Sequence, residues 1–255
     1  MVPDDLIALA NRMADAAGAA IRPHFRTRFE IEAKADASPV TVADRAAESA
    51  MRALIEAERP GDGIVGEEYG RVREGAGRVW VLDPIDGTRA FITGRPIFGT
   101  LVALLEDGVP VLGLIDQPIS GERWLGVKGQ VTTLNGAACT TRRCAKLANA
   151  HIGTTGPQYF AADEFARFDA VRAAAGDIIY GGDCYNYALL ASGHLDVVIE
   201  AGLKLYDFAA LVPVVEGAGG RMTDWAGQPL DSQSSGQVIA AGDAALVDQV
   251  LRRLN

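Results

Sequence analysis

Apolar residues recur at helical spacing over the first 25 residues of the chain. This spacing puts them on one face and predicts an amphipathic helix over residues 4–25. A polar stretch, residues 34–39, comes next. Thr41 and Asp44 then have the spacing of a capping box, which predicts a second helix that ends near Glu58. The apolar positions of the first helix are Leu6, Ile7, Ala10, Met13, Ala14, Ala17, Ile21 and Phe25.

Short apolar runs separated by turn residues occupy the chain between residues 64 and 127. The runs 64–65 and 79–82 are apolar at every position, which predicts buried strands. Three further runs alternate with turns and predict an antiparallel meander. They are 99–105, 109–115 and 122–127.

Predicted strands and helices follow one another in turn after residue 150, which indicates a layered α/β arrangement. We therefore expect two parts that share one cleft: an α+β part over residues 1–145 and an α/β part over residues 146–255. The predicted strands are 151–154, 178–180, 197–200, 221–225 and 238–240, and the predicted helices are 161–174, 184–192, 207–217 and 244–254.

The composition supports a buried core and excludes some partners. Hydrophobic residues make up 49% of the 255 residues and charged residues 22%. The formal net charge is -9 and the sequence has no basic stripe, so we expect no nucleic-acid partner. No apolar run reaches the roughly 20 residues that span a bilayer, and no secretory signal is present, so we expect no membrane partner and a cytoplasmic location. The spacing of the three cysteines indicates reduced thiols rather than a disulfide framework.

The segment Asp83-Pro84-Ile85-Asp86-Gly87-Thr88 carries the most informative chemistry. It places two carboxylates at the predicted end of a buried strand. Hard divalent cations prefer carboxylate and carbonyl oxygens as ligands. The glycine permits close backbone approach, and a helix that begins at the threonine would present free amides to a phosphate. One turn can thus bind a metal on its carboxylates and a phosphate on its amides.

Two further acidic positions flank this segment in the sequence. Glu67 and Glu68 follow the strand predicted at 64–65, and one of two adjacent side chains at a strand end can face inward. Asp207 stands at the start of an apolar helix, where its alternative role is that of a helix N-cap.

These motifs resemble those of the inositol monophosphatase family. Asp83-Pro-Ile-Asp86-Gly-Thr88 is similar to the family signature, and Gly66-Glu67-Glu68 to its upstream acidic motif. Tyr206-Asp207-Phe208-Ala209-Ala210 resembles the family's Trp-Asp-x-Ala motif, with Tyr206 in place of the usual Trp. The resemblance extends over nearly the whole chain. It implies a layered α-β-α-β-α sandwich, a Mg²⁺-dependent hydrolase with two or three ions, a small phosphorylated metabolite as substrate, and a homodimer.

The resemblance also implies roles for particular residues. Gly87 and Thr88 would offer amides to the phosphate, and Asp44 would pair with the Thr88 hydroxyl to position the attacking water. Lys34 would lie close to the metal carboxylates. As alternatives, Lys34 is a plain surface lysine and Asp44 only the capping-box acid. The first ion would bind to Glu67, Asp83 and the carbonyl of Ile85, the second to Asp83, Asp86 and Asp207, and a third near Glu67.

A second pattern concerns the substrate. Residues 87–100 and 181–187 resemble the bacterial histidinol-phosphate phosphatase branch of the family more than the inositol branch. Asp183 stands where the inositol enzymes usually have a small uncharged residue. Together with Glu200, and with Asn186 as a polar neighbour, it suits a cationic leaving group such as histidinol. As alternatives, Asp183 is a helix N-cap and Glu200 an ordinary strand-end acid.

The sequence therefore supports a ranked set of functions. The leading interpretation is a histidinol-phosphatase of histidine biosynthesis. The alternatives are an inositol-1-monophosphatase or a broad sugar-phosphate phosphatase, and, in another class, a non-catalytic regulatory binding protein. Arg89 and Arg95 are either surface cations or phosphate contacts, and the sequence alone leaves this open.

Overall fold

The structure, a computed structural model, describes residues 2–28, 32–33 and 39–255. Lys34, for which a place beside the metal carboxylates was predicted, lies outside these residues. Among the described residues, no helix is both long and apolar enough to cross a bilayer. The helices are α1 (Asp4–Ile21), α2 (Val42–Glu58), α3 (Thr88–Ile92), α4 (Ala162–Arg172), α5 (Asp183–Ala191), α6 (Leu205–Phe208), α7 (Leu211–Gly217) and α8 (Ala244–Leu254).

The larger of the sheets has eight strands in the order β10-β9-β8-β7-β6-β5-β3-β4. Its neighbouring strands are antiparallel except β3 and β5, which run parallel. Its strands are β3 (Gly63–Gly66), β4 (Gly70–Val72), β5 (Arg78–Asp86), β6 (Gly99–Glu106), β7 (Val109–Gln117), β8 (Glu122–Val127), β9 (Thr133–Leu134) and β10 (Ala137–Ala138). The strands β6, β7 and β8 form the predicted meander.

The second sheet has five strands in the order β12-β11-β13-β15-β14. Parallel pairs join β11 to β12 and to β13, and antiparallel pairs join β15 to β13 and to β14. Its strands are β11 (His151–Thr154), β12 (Asp177–Tyr180), β13 (Val197–Glu200), β14 (Arg221–Thr223) and β15 (Val238–Ala241). A separate antiparallel pair is formed by β1 (Glu32–Ala33) and β2 (Pro39–Val40).

Helices and sheets alternate in five layers. The pair α1 and α2 covers one face of the larger sheet, and α5, α6 and α7 lie between the two sheets. The pair α4 and α8 covers the outer face of the smaller sheet. This order confirms the predicted α-β-α-β-α sandwich. The division of the chain near residue 145 stays a prediction.

The continuous apolar runs of the central strands follow from this layering. In β5, Val79 and Val81 face the core between the sheets, whereas Trp80 and Leu82 face the core under α1 and α2. Since both faces of the sheet are covered, successive side chains are buried on opposite sides and no polar alternation appears.

Two predicted helices differ from the observed ones because of proline. The first helix ends at Ile21 and continues as a 3₁₀ turn over Arg22–His24 rather than running to residue 25. Pro23 cannot continue the helical hydrogen bonding because it has no N–H. The helix predicted over 207–217 is divided into α6 and α7. Pro213 cannot donate to the carbonyl four residues earlier, so the ladder breaks although the backbone stays helical.

Candidate active site

Three aspartates meet at the end of β5 and the start of the helical layer between the sheets. Asp83, Asp86 and Asp207 each place a carboxylate oxygen within 4.8 Å of the others. Asp83 is buried and the other two are partly buried. Because Asp207 is more than a hundred residues further along the chain, the tertiary structure creates this cluster.

An irregularity in β5 directs both of its aspartates into the cluster. The sequence predicts that this strand stops at Leu82. In the structure it continues to Asp86, with a shift of register between Asp83 and Asp86. In a regular strand, residues three apart point to opposite faces. The shift removes this opposition and bends the strand. Asp83 accepts a hydrogen bond from the Ile85 amide (3.1 Å), and Thr100 donates to the Pro84 carbonyl (2.8 Å), which holds the bend.

The Asp207 carboxylate belongs to the acidic cluster and also accepts a hydrogen bond at the start of its helix. Asp207 is the third residue of α6, and its Oδ2 accepts the backbone amide of Lys204 at 2.6 Å. It is therefore not the N-cap of the helix, because that position belongs to Lys204. The hydrogen bond to the first turn fixes the carboxyl group while it also faces Asp83 and Asp86.

Glu67 follows β3 and lines the cavity beside the three aspartates. Its amide donates to the Leu82 carbonyl at 3.2 Å, which ties it to β5. The next two amides, of Glu68 and Tyr69, donate to the buried carboxylate of Glu48 at 2.6 and 3.2 Å. Glu48 on α2 thus fixes the turn from which Glu67 projects.

Thr88 and Asp44 are brought together as predicted from the resemblance. The Thr88 hydroxyl lies 3.4 Å from Asp44 Oδ1 and 3.1 Å from the Ile85 carbonyl. Asp44 also forms the capping box of α2, since its Oδ2 accepts the amide and hydroxyl of Thr41 at 2.8 and 2.5 Å. Asp44 therefore both caps α2 and contacts Thr88. Burial raises the pKa of Asp44 to about 6.

The acidic cluster is electrostatically costly in the absence of a cation. Burial, followed by the charges of neighbouring carboxylates, raises the pKa of Asp83 and of Asp86 well above the usual range. Burial likewise raises the pKa of Asp207 to about 7. A bound divalent cation would reverse this shift by favouring the ionised form. Oxygen donors at this spacing fit a hard cation such as Mg²⁺ or Ca²⁺.

The cluster opens into a cavity between the two sheets. Its lining includes five acids, Glu67, Asp86, Asp183, Glu200 and Asp207. Asp183 is close enough to both Asp86 and Glu200 for its charge to raise their pKa values. Some of the remaining lining residues, among them Gly87, Thr88 and Tyr206, belong to the motifs described above. The others come from loops and helices far apart in the chain. The remaining lining residues are Gly87, Thr88, Arg89, Thr155, Tyr159, Cys184, Tyr187, Ala201, Gly202, Leu203, Lys204, Tyr206 and Leu211.

Asp183 begins α5 in a left-handed backbone conformation, with φ of 43°. The N-cap of α5 is Gly182, so Asp183 is not the helix cap that was its alternative role. Its side chain is instead available to the cavity. Burial raises the pKa of Asp183 to about 6, and the nearby Arg89 opposes that rise.

Glu200 is the last residue of β13, and its side chain is almost fully buried. Its Oε1 accepts the amide and hydroxyl of Thr155 at 2.7 and 3.0 Å, and its Oε2 accepts the Thr154 hydroxyl at 3.3 Å. Burial raises the pKa of Glu200 to about 8 despite these bonds. A cation next to it would favour the ionised form.

Asn186 and the two arginines are placed differently from one another. Asn186 is buried behind the cavity wall and donates to the Gly181 carbonyl at 2.9 Å, so it supports the loop before Asp183 rather than facing the cavity. Arg89 lines the cavity. Arg95 lies near Gly181, at 4.0 Å from where a Cβ on that glycine would stand.

Comparison with known proteins agrees with this architecture. The model of the inositol monophosphatase family matches residues 3–254. A chloroplastic bifunctional phosphatase of Arabidopsis thaliana is 51% identical, over 98% of this chain and 75% of its own. A histidinol-phosphatase of Mycobacterium tuberculosis is 36% identical over 100% of this chain and 99% of its own. The solved structure of an inositol monophosphatase from Zymomonas mobilis has a TM-score of 0.92 and 56% identity, and covers 98% of both chains.

The five layers and the acidic cluster define a metal-dependent phosphatase that acts on phosphate monoesters of small molecules. The chain belongs to the inositol monophosphatase family. The finding favours an enzyme over the non-catalytic binding protein considered above. Its relatives include histidinol-phosphatases and inositol monophosphatases, so the family by itself leaves the substrate open.

Proposed function

We propose that the chain is a Mg²⁺-dependent phosphatase that hydrolyses histidinol phosphate to histidinol in histidine biosynthesis. The observation that carries this proposal is the pair of carboxyl groups, Asp183 and Glu200, on the cavity wall next to the acidic cluster. Histidinol has an amine and an imidazole, which are cationic or able to donate hydrogen bonds. Carboxylates pair with such cationic groups through hydrogen bonds in which both partners are charged, whereas a neutral polyol has no cation to pair with them.

The proposed metal ligands are the acids of the cluster. Glu67, Asp83 and the Ile85 carbonyl would hold one ion, and Asp83, Asp86 and Asp207 a second. A third ion near Glu67 belongs to the same proposal. When bound, Mg²⁺ neutralises phosphoryl charge and makes water easier to deprotonate.

The chain's own groups would orient the reactants. Thr88, which is hydrogen-bonded to Asp44, would hold the attacking water in line with the phosphorus atom. The amides of Gly87 and Thr88, at the start of α3, would bind phosphoryl oxygens. Phosphoryl transfer depends mainly on such positioning and charge neutralisation, so no covalent protein nucleophile is required.

The named relatives support this substrate without deciding it. Histidinol-phosphatases from three bacteria are 35–36% identical over 94–100% of the chain. A second candidate substrate is inositol 1-phosphate, because the 56% identical structure is described as an inositol monophosphatase. Family resemblance also supports a homodimer as a proposal. Light scattering on the purified protein tests the dimer.

A phosphate-release assay with Mg²⁺ tests the substrate. The panel is histidinol phosphate, inositol 1-phosphate, fructose 1,6-bisphosphate and 3'-phosphoadenosine 5'-phosphate. We expect histidinol phosphate to have the highest kcat/KM. Equal or faster turnover of a neutral leaving group would remove the histidinol assignment while leaving the phosphatase.

The variant Asp183→Asn tests the reason for the preference. It keeps the size of the side chain and removes the charge. We expect kcat/KM for histidinol phosphate to fall about tenfold to a hundredfold, the value of one charge-assisted hydrogen bond, and that for inositol 1-phosphate to change less than about threefold. A parallel loss on both substrates would show that Asp183 serves the metal end of the cavity instead.

A further inference from the structure

Tyr187 on α5 combines two features that packing alone does not explain. Its side chain is 2% exposed and belongs to the core between the two sheets. Its hydroxyl group is buried and has no hydrogen-bond partner among residues 2–28 and 41–255, whose side chains the structure describes. The residue nevertheless lines the cavity that holds the acidic cluster.

A buried hydroxyl without a partner destabilises the folded protein, because it gives up its hydrogen bonds to water. A phenylalanine would fill the same space without that cost. The ring accounts for the packing, but the hydroxyl group is unfavourable in the free protein. An unpartnered polar group on a residue that lines a cavity indicates that its partner is a ligand.

The surroundings of the hydroxyl group define the chemistry of that ligand. Burial raises the pKa of Tyr187 well above its usual value, and the nearby charges of Glu200, Asp86 and Asp207 add to the rise. The phenol therefore stays protonated and can donate. Its charged neighbours are acceptors: Glu200, which the proposed function assigns to the leaving group, and Asp86 and Asp207, which it assigns to the metal. A donor near these carboxylates complements an acceptor oxygen in the substrate.

We propose that Tyr187 contacts the substrate and that its hydroxyl donates a hydrogen bond to the oxygen that joins the phosphoryl group to the leaving group. This inference rests on the proposed function for the direction in which the ester lies, with phosphate at the metal acids and leaving group at Glu200. Attack of water at phosphorus leaves the bridging oxygen on the alcohol. Tyr187 then contacts the product alcohol and not the inorganic phosphate.

The variant Tyr187→Phe removes the hydroxyl and keeps the ring. Tyr185→Phe is a matched control on the same helix, because the Tyr185 hydroxyl donates to Glu122 Oε2 at 2.8 Å and does not line the cavity. The measurements are the ligand-free Tm, kcat and KM for histidinol phosphate and inositol 1-phosphate, and calorimetric affinities for histidinol and inorganic phosphate with Mg²⁺ present.

For Tyr187→Phe we expect kcat/KM to fall about tenfold, the affinity for the product alcohol to fall, and the affinity for inorganic phosphate to stay the same. Its ligand-free Tm should equal or exceed that of the wild type. Tyr185→Phe should show the opposite pattern, with a lower Tm and unchanged kcat/KM.

The proposal is overturned if Tyr187→Phe keeps kcat/KM within twofold of the wild type on every ester that the wild type hydrolyses. A drop in its ligand-free Tm like that of Tyr185→Phe also overturns it, because the hydroxyl would then have a partner in the free protein. Weaker binding of inorganic phosphate alone overturns the assignment to the bridging oxygen. If the wild type hydrolyses a different ester, the substrate proposal fails, and the same comparison on that ester still tests Tyr187.

Discussion

Asp183 lies directly against the α-carbon of Gly87, so that a Cβ on Gly87 would stand 2.9 Å from Asp183 Oδ2. Gly87 follows the proposed metal ligands Asp83 and Asp86, and Asp183 begins the helix that carries Tyr187. The residue proposed to select the leaving group therefore packs on the turn proposed to hold the phosphate. Neither can move without displacing the other.

This contact predicts that Gly87→Ala inactivates the enzyme. Gly87 has φ of 88°, and an added methyl group would meet both an unfavourable backbone conformation and the Asp183 carboxylate. We expect kcat/KM to fall at least about a hundredfold, because displacement by about 1 Å in a reacting geometry has that effect. Gly129→Ala is the control: φ is 81° there and no atom lies within 4 Å of its Cβ. It should lose about 1 kcal/mol of stability and keep its activity. Similar activity loss in both variants would attribute the effect to the backbone alone.

The raised pKa values of the acidic cluster predict pH-dependent metal binding. Since burial raises the pKa of Asp207 to about 7 and that of Asp86 well above its usual range, protons compete with the cation near neutral pH. Mg²⁺ affinity should therefore rise as the pH increases from 6 to 8, with proton release on binding. Calorimetry in two buffers of different ionisation enthalpy measures both quantities. Affinity that is constant over this range would contradict the prediction.

The raised pKa of Glu200 predicts that the stability of the metal-free protein depends on pH. Because this pKa is raised from 4.5 to about 8 on folding, the native state binds the proton more tightly than the unfolded state does. The free energy of unfolding should thus decrease as the pH rises from about 4.5 to 8, by at most about 1.4 kcal/mol per pH unit from this group. Glu200→Gln keeps the shape and does not titrate, so its Tm should fall less over this range. Parallel Tm profiles with chelator present would rule the effect out.

The contacts of Glu48 predict that this residue, which does not line the cavity, fixes the position of Glu67. The Glu48 carboxylate is fully buried and accepts the amides of Glu68 and Tyr69 together with Arg52 Nε, the last at 2.6 Å. Glu48→Ala should cost about 3 kcal/mol, since it leaves buried donors and a cation without their partner. It should also weaken Mg²⁺ binding, because the turn that carries Glu67 loses its support.

The control for Glu48→Ala is Glu58→Ala on the same helix. Glu58 pairs with Arg12 on the surface, where such a pair contributes less than about 1 kcal/mol. Chemical denaturation and Mg²⁺ calorimetry on both variants make the comparison. If Glu48→Ala lowers the free energy of unfolding without changing the affinity for Mg²⁺, the role of Glu48 is structural only.

Local patterns predicted much of the fold because their causes are local. Apolar runs separated by turn residues mark β6, β7 and β8, and the capping box of Thr41 and Asp44 marks the start of α2. The errors have nonlocal or backbone causes. The helix break at Pro213 depends on one missing hydrogen bond, and the continuation of β5 to Asp86 depends on pairing with β6.

The sequence by itself determined which acids are available, the strands and helices that carry them, and the family to which they point. Only the tertiary structure decided that Asp207 reaches Asp83 and Asp86, that Asp183 packs on Gly87, and that the Tyr187 hydroxyl is buried on a residue that lines the cavity. The physical reason is distance along the chain. Hydrophobic periodicity and capping arise within a few residues, whereas the contacts of Asp207 and Asp183 join segments about a hundred residues apart and depend on how the layers pack.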